Sequence, residues 1–346
     1  MDIERFYQIK RKIGRGSFGQ VIEASDRITG EDVAIKVEDI NTMRPKLQNE
    51  KQVYDAIKET NGFPKLICYE TDRNYNFLII DLLGPSLEEL FEYCGRQFTL
   101  KTTLMLAVDM LNRIEYLHSK DYIHRDIKPA NFLMGWERKT KTVYMIDFGL
   151  AKKYIDPHTK RHILYEDGKG LTGTVKYVSI NTHEGIEQSR RDDIESLGYV
   201  IIYFLTGSLP WERVKKTTKQ QKYEEIAHLK KVYSIEELCK NHPKEIATYM
   251  KYCRGLSFED KPDYQYLKEL LQSAFERNGN QFDRVYDWNI KMFKEKLALI
   301  QHGSNICIFK KCGPKTIVPE QNSNEEIIKS SKKVNDIQII NILLIF

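Results

Sequence analysis

The hydrophobic pattern of this chain changes period once, close to residue 84, and that change sets the kind of fold open to it. Upstream, the short β-branched runs YQIKRKI, QVIEAS and EDVAIKVE succeed one another between residues 7 and 38, punctuated by glycines and Thr29-Gly30. They read as an antiparallel meander. After Pro45 the stretch KLQNEKQVYDAIKE has helical composition, and strand character returns around Leu66 to Tyr69 and Phe77 to Leu82. Downstream, Ser86-Leu87-Glu88-Glu89 carries a capping-box signature, and Leu104, Ala107, Leu111, Ile114 and Leu117 recur at helical spacing. Further helices are predicted near residues 192–205, 217–230, 243–253 and 263–274, separated by loops with Gly207, Pro210, His242-Pro243 and Pro262. The expected fold is α+β: a small, mostly antiparallel β lobe with one main helix over about 1–83, then a larger, mainly helical lobe over about 84–300.

Bulk properties fit a globular enzyme better than a disordered adaptor. The 346 residues are roughly two domains' worth of chain, and 41% apolar residues supply a core. A net charge of +5, spread over a chain that is 30% charged, is too mild to point to nucleic acid as a partner. The N-terminal MDIERFYQIK carries scattered charges and no secretory pattern, so an intracellular protein is expected. Six scattered cysteines without a C-x-x-C pair argue against a zinc ribbon or a disulfide framework. No internal repeat is visible. From about residue 301 the composition shifts to Asn, Ser, Lys and Glu, so 301–346 reads as a flexible polar tail ending in the apolar run IQIINILLIF. A membrane span needs about 20 such residues; docking on the protein body or on a partner, and contact with a membrane surface, are the remaining alternatives. Lys215, Lys216, Lys219 and Lys222 form a basic stretch interrupted by other residues, and the expected location is the cytoplasm with access to the nucleus.

Four motifs carry chemistry. Gly14-Arg15-Gly16-Ser17-Phe18-Gly19, followed by Gln20-Val21, matches G-x-G-x-x-G-x-V, where missing side chains let backbone N–H groups close over phosphates. A dinucleotide-binding fingerprint should open a helix, whereas strand residues follow here; an ordinary glycine turn is the other rival. Val33-Ala34-Ile35-Lys36 lies on the strand that follows and aims the Lys36 ammonium at phosphates, with Glu50 on the next helix as its candidate partner. His124-Arg125-Asp126-Ile127-Lys128-Pro129-Ala130-Asn131 concentrates an acid, a base and a metal ligand in one loop. There Asp126 would orient a substrate hydroxyl, Lys128 would neutralise the transferring phosphoryl group, and Asn131 would hold Mg2+. Asp147-Phe148-Gly149 closes the apolar strand VYMID 16 residues beyond Asn131 and supplies the second metal-holding side chain.

Together these residues resemble the eukaryotic protein kinase superfamily from about residue 6 to about residue 295. The resemblance implies the bilobal protein kinase fold, with ATP and Mg2+ as cofactors. It further implies that Asp81 and Leu83 meet adenine through their backbones, with Ile80 as gatekeeper, and that Ile13, Val21, Ala34 and Leu133 belong to the nucleotide site. Asp193 would brace the catalytic loop from a buried helix. Lys128 is similar to the serine/threonine class. LLGPSLEELF at 82–91, HRDIKPANFLMG at 124–135, DFGLAKKY at 147–154, and Ser179-Ile180-Asn181 in place of Ala-Pro-Glu resemble the casein kinase 1 family.

That likeness implies protein substrates with acidic or phosphorylated residues upstream of the acceptor, read by Lys176 and Lys222. Arginine is usual at position 176, and a lysine offers a point charge instead of a bidentate fork. Arg213 would partly compensate, and Lys169 lies in the same segment; a plain solvated basic face is the alternative for both. Ala130 and Asp81 are milder departures that remove no reacting group. Thr172 and Thr174 are expected to serve local structure. The resemblance also implies a monomeric catalytic domain, against two rivals: a kinase-shaped scaffold without turnover, and a small-molecule kinase.

Overall fold

The computed structural model describes residues 3–16, 19–43, 45–58, 60–136 and 139–301. The described residues fall into two compact units, one up to Arg284 and a second that begins at Val285 and is described as far as Gln301.

The first unit opens with a five-stranded antiparallel sheet, β1 (Tyr7–Gly16), β2 (Gly19–Asp26), β3 (Asp32–Asp39), β4 (Leu66–Thr71) and β5 (Tyr75–Asp81), in the order β1-β2-β3-β5-β4. Successive strand residues face opposite sides. On β3 that sends Val33 and Ile35 into a core with Tyr7, Ala24, Phe77 and Ile79. It leaves Ala34 and Lys36 on the other face, where Ala34 pairs with Ile80 and Lys36 with Leu78 of β5. The single helix of this lobe, α1 (Leu47–Ile57), buries Leu47, Glu50, Val53, Tyr54 and Ile57. Those positions recur at the three- and four-residue spacing of one helix face; Glu50 shares that face, so its carboxylate points inward with the apolar side chains.

The helical part follows with α2 (Leu87–Tyr93), α3 (Leu100–Ser119), α4 (Ile180–His183), α5 (Arg190–Thr206), α6 (Lys219–Val232), α7 (Ile235–Leu238), α8 (Lys244–Gly255) and α9 (Tyr264–Arg277). The Ser86 hydroxyl accepts from the Glu89 N–H, and the Glu89 carboxylate accepts from the Ser86 N–H, which is the capping box read from the sequence. Helix α5 lies at the centre, packed against α3 and α8, and is buried from Arg191 to Leu205. Its end is fixed by Gly207 (φ 85°), where a Cβ would meet the Arg96 carbonyl oxygen at 2.8 Å. Two short ribbons, β6 (Tyr122–Ile123) with β9 (Lys152–Lys153) and β7 (Phe132–Met134) with β8 (Val143–Met145), flank the loops that carry the motifs.

The α+β organisation is therefore the one expected, and the four helices predicted near residues 192, 217, 243 and 263 are found. The four-residue α4 and α7 and the two- and three-residue strands are too short to show a hydrophobic period. The second unit contributes α10 (Asp287–Gln301), preceded by Tyr286, whose ring stacks on Trp288 at 4.5 Å. The expected tail, with its apolar end, lies outside the described residues. Among the described residues no helix is long and apolar enough to cross a membrane, and Cys68, Cys239 and Cys253 are free thiols.

Candidate active site

The loop between β6 and β7 is held from beneath by one carboxylate. Asp193 of α5 accepts the backbone N–H of His124 at 2.7 Å, that of Arg125 at 2.9 Å and His118 Nε2 at 2.9 Å. Arg125 adopts the left-handed conformation (φ 66°), which a non-glycine residue keeps only when its surroundings impose it. Its guanidinium also donates to the Leu150 carbonyl at 2.7 Å. His124 Nε2 faces the Ile146 carbonyl at 3.0 Å, so it carries the ring proton, and Nδ1 accepts the Asp126 N–H at 3.2 Å.

These contacts set Asp126, whose two oxygens have separate partners. Oδ1 accepts the N–H of Thr174 at 2.9 Å and its hydroxyl at 2.7 Å, while Oδ2 accepts Lys128 Nζ at 2.6 Å and Asn131 Nδ2 at 3.3 Å. Burial opposes the charge on Asp126, but Lys128 and the Thr174 hydrogen bonds outweigh it and hold the carboxyl below the usual range. The group is an anion throughout the neutral range.

Across from this loop, Lys36 Nζ lies 2.5 Å from Glu50 Oε1, a pair in which Glu50 is wholly enclosed. Burial works against the ammonium, yet Glu50 and Asp147 raise its pKa and keep it charged. Helix α1 is tied to the segment after β8 by Asn49, whose amide donates to the carbonyls of Phe148 (3.2 Å) and Ala151 (3.0 Å). Phe148 is fully buried, edge-on to Tyr54 at 5.2 Å and to His124 at 5.6 Å. The packing of Phe148 under α1 thus sets where the neighbouring Asp147 stands. Exchanging Glu50 for Gln removes one charge-assisted hydrogen bond, worth about 1.5–3 kcal/mol. Glu50→Gln should therefore lower kcat/KM for phosphate transfer about 10–100-fold in steady-state kinetics, and an unchanged value would exclude the pair from the reaction.

Asp147 is left-handed (φ 69°), and its Oδ1 is buried without a hydrogen-bond partner among the described residues. An orphaned carboxylate oxygen of this kind suits a hard cation. Asn131 has its amide nitrogen committed to the Asp126 carbonyl at 2.9 Å, which leaves its oxygen as the atom for a metal. Among the described residues no group of three or more His, Cys, Asp or Glu side chains could hold a metal. The two residues present fit an ion that draws its other ligands from phosphates and water.

In the glycine hairpin Gly14 pairs with Val21, Arg15 with Gln20 and Gly16 with Gly19. Ser17 and Phe18 lie outside the described residues. Gly19 (φ 144°) is demanded by packing, since a Cβ there would sit 1.9 Å from the Val37 carbonyl oxygen. Ile13 and Val21 stand on these strands, Ala34 and Ile80 are buried beside each other, and Leu133 pairs with Tyr144 across β7 and β8. At the other end of β5 the Asp81 N–H donates to the Lys65 carbonyl at 3.1 Å, so a base could meet Asp81 only through its C=O; Leu83 follows two residues on.

The residues expected to read a substrate phosphate are placed unevenly. Lys176 Nζ is 2.7 Å from Glu212 Oε1 and 3.5 Å from the centroid of the Tyr203 ring, and burial lowers its pKa. Arg213 is exposed at the end of the turn Pro210–Arg213, and Lys222 lies in the first turn of α6, which packs on that turn. Lys169 is paired with Glu166 and lies 3.7 Å from Glu187.

Several contacts here were not foreseen. Thr174 touches Asp126 directly instead of serving only local structure, and Asn49 ties α1 to the segment that follows Asp147. Lys230 of α6 is wholly enclosed and donates to the carbonyls of Val175 (3.0 Å) and Val178 (2.6 Å). Rings of Tyr199 and Trp211 lie 4.8 and 5.2 Å from its ammonium, and burial pushes its pKa down to about 7. No local pattern marks these residues, because the partners they hydrogen-bond lie 48 to 102 positions away.

A sheet carrying a buried Lys–Glu pair, set over a helical lobe whose loop presents Asp126, defines the protein kinase class of fold. The sequence matches the protein kinase domain over residues 7–281, and the chain belongs to that family. Domains of this family generally use ATP and Mg2+ and act on proteins.

Proposed function

We propose that this chain is a serine/threonine protein kinase similar to casein kinase 1, transferring the γ-phosphate of Mg-ATP to hydroxyls in proteins. The observation that carries the reading is Asp126, a depressed-pKa carboxylate held between Lys128 and Asn131 of its own loop and Thr174 from a segment further along the chain. In-line transfer needs positioning and charge neutralisation more than covalent help. Lys36, fixed by Glu50, binds the phosphates together with the backbone of Gly14–Gly19, and Asp147 and Asn131 would hold Mg2+, whose charge offsets that of the phosphate oxygens. Asp126 orients the incoming hydroxyl and accepts its proton, and Lys128 shares that carboxylate while facing the transferred group. Ile13, Val21, Ala34, Ile80 and Leu133 would enclose the base, with the Asp81 carbonyl and the Leu83 backbone as its hydrogen-bond partners.

The likeness to casein kinase 1 is supported by what Ser179-Ile180-Asn181 does. The Ser179 hydroxyl caps α4 and donates to Asp192 at 2.5 Å, and the Ile180 N–H donates to Glu195 at 3.2 Å, so this tripeptide anchors the substrate segment to α5. Under the same reading residues 1–300 form a monomeric catalytic domain that works in the cytoplasm, with access to the nucleus, on sites preceded by acidic or phosphorylated residues. Lys222, Arg213 and Lys176 would meet that upstream charge.

The deciding experiment is transfer from labelled Mg-ATP to paired peptides, one with an acidic or phosphorylated residue three positions before serine and one neutral. Preference for the first peptide is expected. Equal use of both removes the casein kinase 1 specificity, and no transfer by intact, ATP-binding protein favours a scaffold.

A further inference from the structure

The cation best placed to read an upstream phosphate already has an anion of its own. Glu212 Oε1 sits 2.7 Å from Lys176 Nζ, with both side chains only about one-fifth exposed. The pair is built in from several sides. The Lys176 carbonyl accepts the indole N–H of Trp211 at 2.9 Å, and its ammonium rests on Tyr203, whose hydroxyl donates to Glu88 at 2.7 Å. Arg96 donates to the same Tyr203 oxygen and lies 3.9 Å from Glu212 Oε2 and 3.7 Å from Glu88. Around Lys176 there are thus two carboxylates and one further cation, so this pocket offers no surplus positive charge. Arg213, the next residue after Glu212, points instead to solvent.

We infer that Glu212 is a specificity-determining residue: an internal anion that competes with a substrate's phosphate for Lys176 and weakens the preference for phosphorylated over unphosphorylated sites. The inference rests on the kinase reading above and deepens it. A phosphate arriving at Lys176 must displace Glu212 or share the ammonium with it, losing attraction to the charge it meets. Recognition then falls to Lys222 and Arg213, outside the clamp, where Arg213 is exposed and solvent screens the attraction that separates a phosphate from a neutral side chain.

The test is Glu212→Gln. Oε1 also accepts the Leu209 N–H at 2.9 Å, and the glutamine carbonyl can keep that bond, so the turn is preserved while the charge is removed. Two readouts are taken on wild type, E212Q and the double variant E212Q/K176A. One is the kcat/KM ratio for a phosphoserine-primed peptide over its unphosphorylated twin; the other is the Kd ratio of the same peptides by fluorescence anisotropy. E212Q should raise both ratios about 5–10-fold, the effect of freeing one partly enclosed charge, and K176A should abolish the gain. Unchanged ratios in E212Q overturn the inference, as does a gain that survives K176A. Binding needs no turnover, so a chain that transfers no phosphate sinks the kinase reading while the Kd arm still decides the role of Glu212.

Discussion

Replacing Asp126 by Asn lowers kcat by about 10²–10⁴-fold, the range expected when a positioned proton acceptor is removed. The substitution keeps shape and loses charge. One amide oxygen can still accept from Thr174 as Oδ1 does now, whereas the amide nitrogen would face Lys128 and Asn131, both donors at present. Thermal stability should stay within a few degrees of wild type, because the loop is anchored by Asp193 and not by Asp126. KM for ATP should change little, since Asn131 keeps its 2.9 Å hydrogen bond to the Asp126 main-chain carbonyl and loses only the 3.3 Å one to the side chain. Steady-state kinetics on one peptide checks both; a loss in kcat below tenfold would remove Asp126 from the reacting group.

Asp193→Ala should cost more in stability than any other single change in the loop region. Its carboxylate is fully enclosed and accepts from two backbone N–H groups and from His118, which is itself tied to Tyr264 at 2.6 Å. Burial lowers the pKa of His118 against the pull of Asp193; as a neutral ring it donates through Nε2 and accepts the Tyr264 hydroxyl through Nδ1. Removing the carboxylate strands three buried donors at about 1–3 kcal/mol each, a loss of at least about 3 kcal/mol. For a unit of this size that is a fall in Tm of roughly 10 °C in a thermal melt. The fall is accompanied by lower kcat, because the hydrogen bond that Asp193 accepts from the Arg125 backbone, which fixes its left-handed conformation, is then lost. A melt within about 2 °C of wild type, the effect of one lost surface contact, would show that the loop is braced elsewhere.

How much of this was legible in the sequence depended on distance along the chain. His124 to Asn131 and Asp147 to Gly149 concentrate their groups within a few residues, so spacing alone assigned them. Lys36 and Glu50 were linked because a strand residue and the next helix are neighbours in any such lobe. The α+β division was readable from a single change of period. Helix α5 was placed to within two residues although its enclosed middle has no polar face, because Gly207 marks its end. Glu212, Thr174, Asn49 and Lys230 were not assigned these contacts. Each meets a partner across 36 to 102 residues, and an isolated Glu, Thr, Asn or Lys on a helix or loop looks the same whether it faces water or a buried carbonyl. Asp81 shows the converse: the family resemblance implies a backbone contact with a base without naming the atom, and the N–H donates to the Lys65 carbonyl, which leaves the C=O.

The enclosure of Lys230 has a chemical consequence. Amine reagents attack the neutral, accessible form of lysine, and this nitrogen is deprotonated more readily than a surface lysine yet lies out of reach while Val175 and Val178 cover it. Its acylation rate therefore reports the opening of the segment above it. A mass-spectrometric labelling time course would follow that motion at one residue, in the whole protein, with no probe attached.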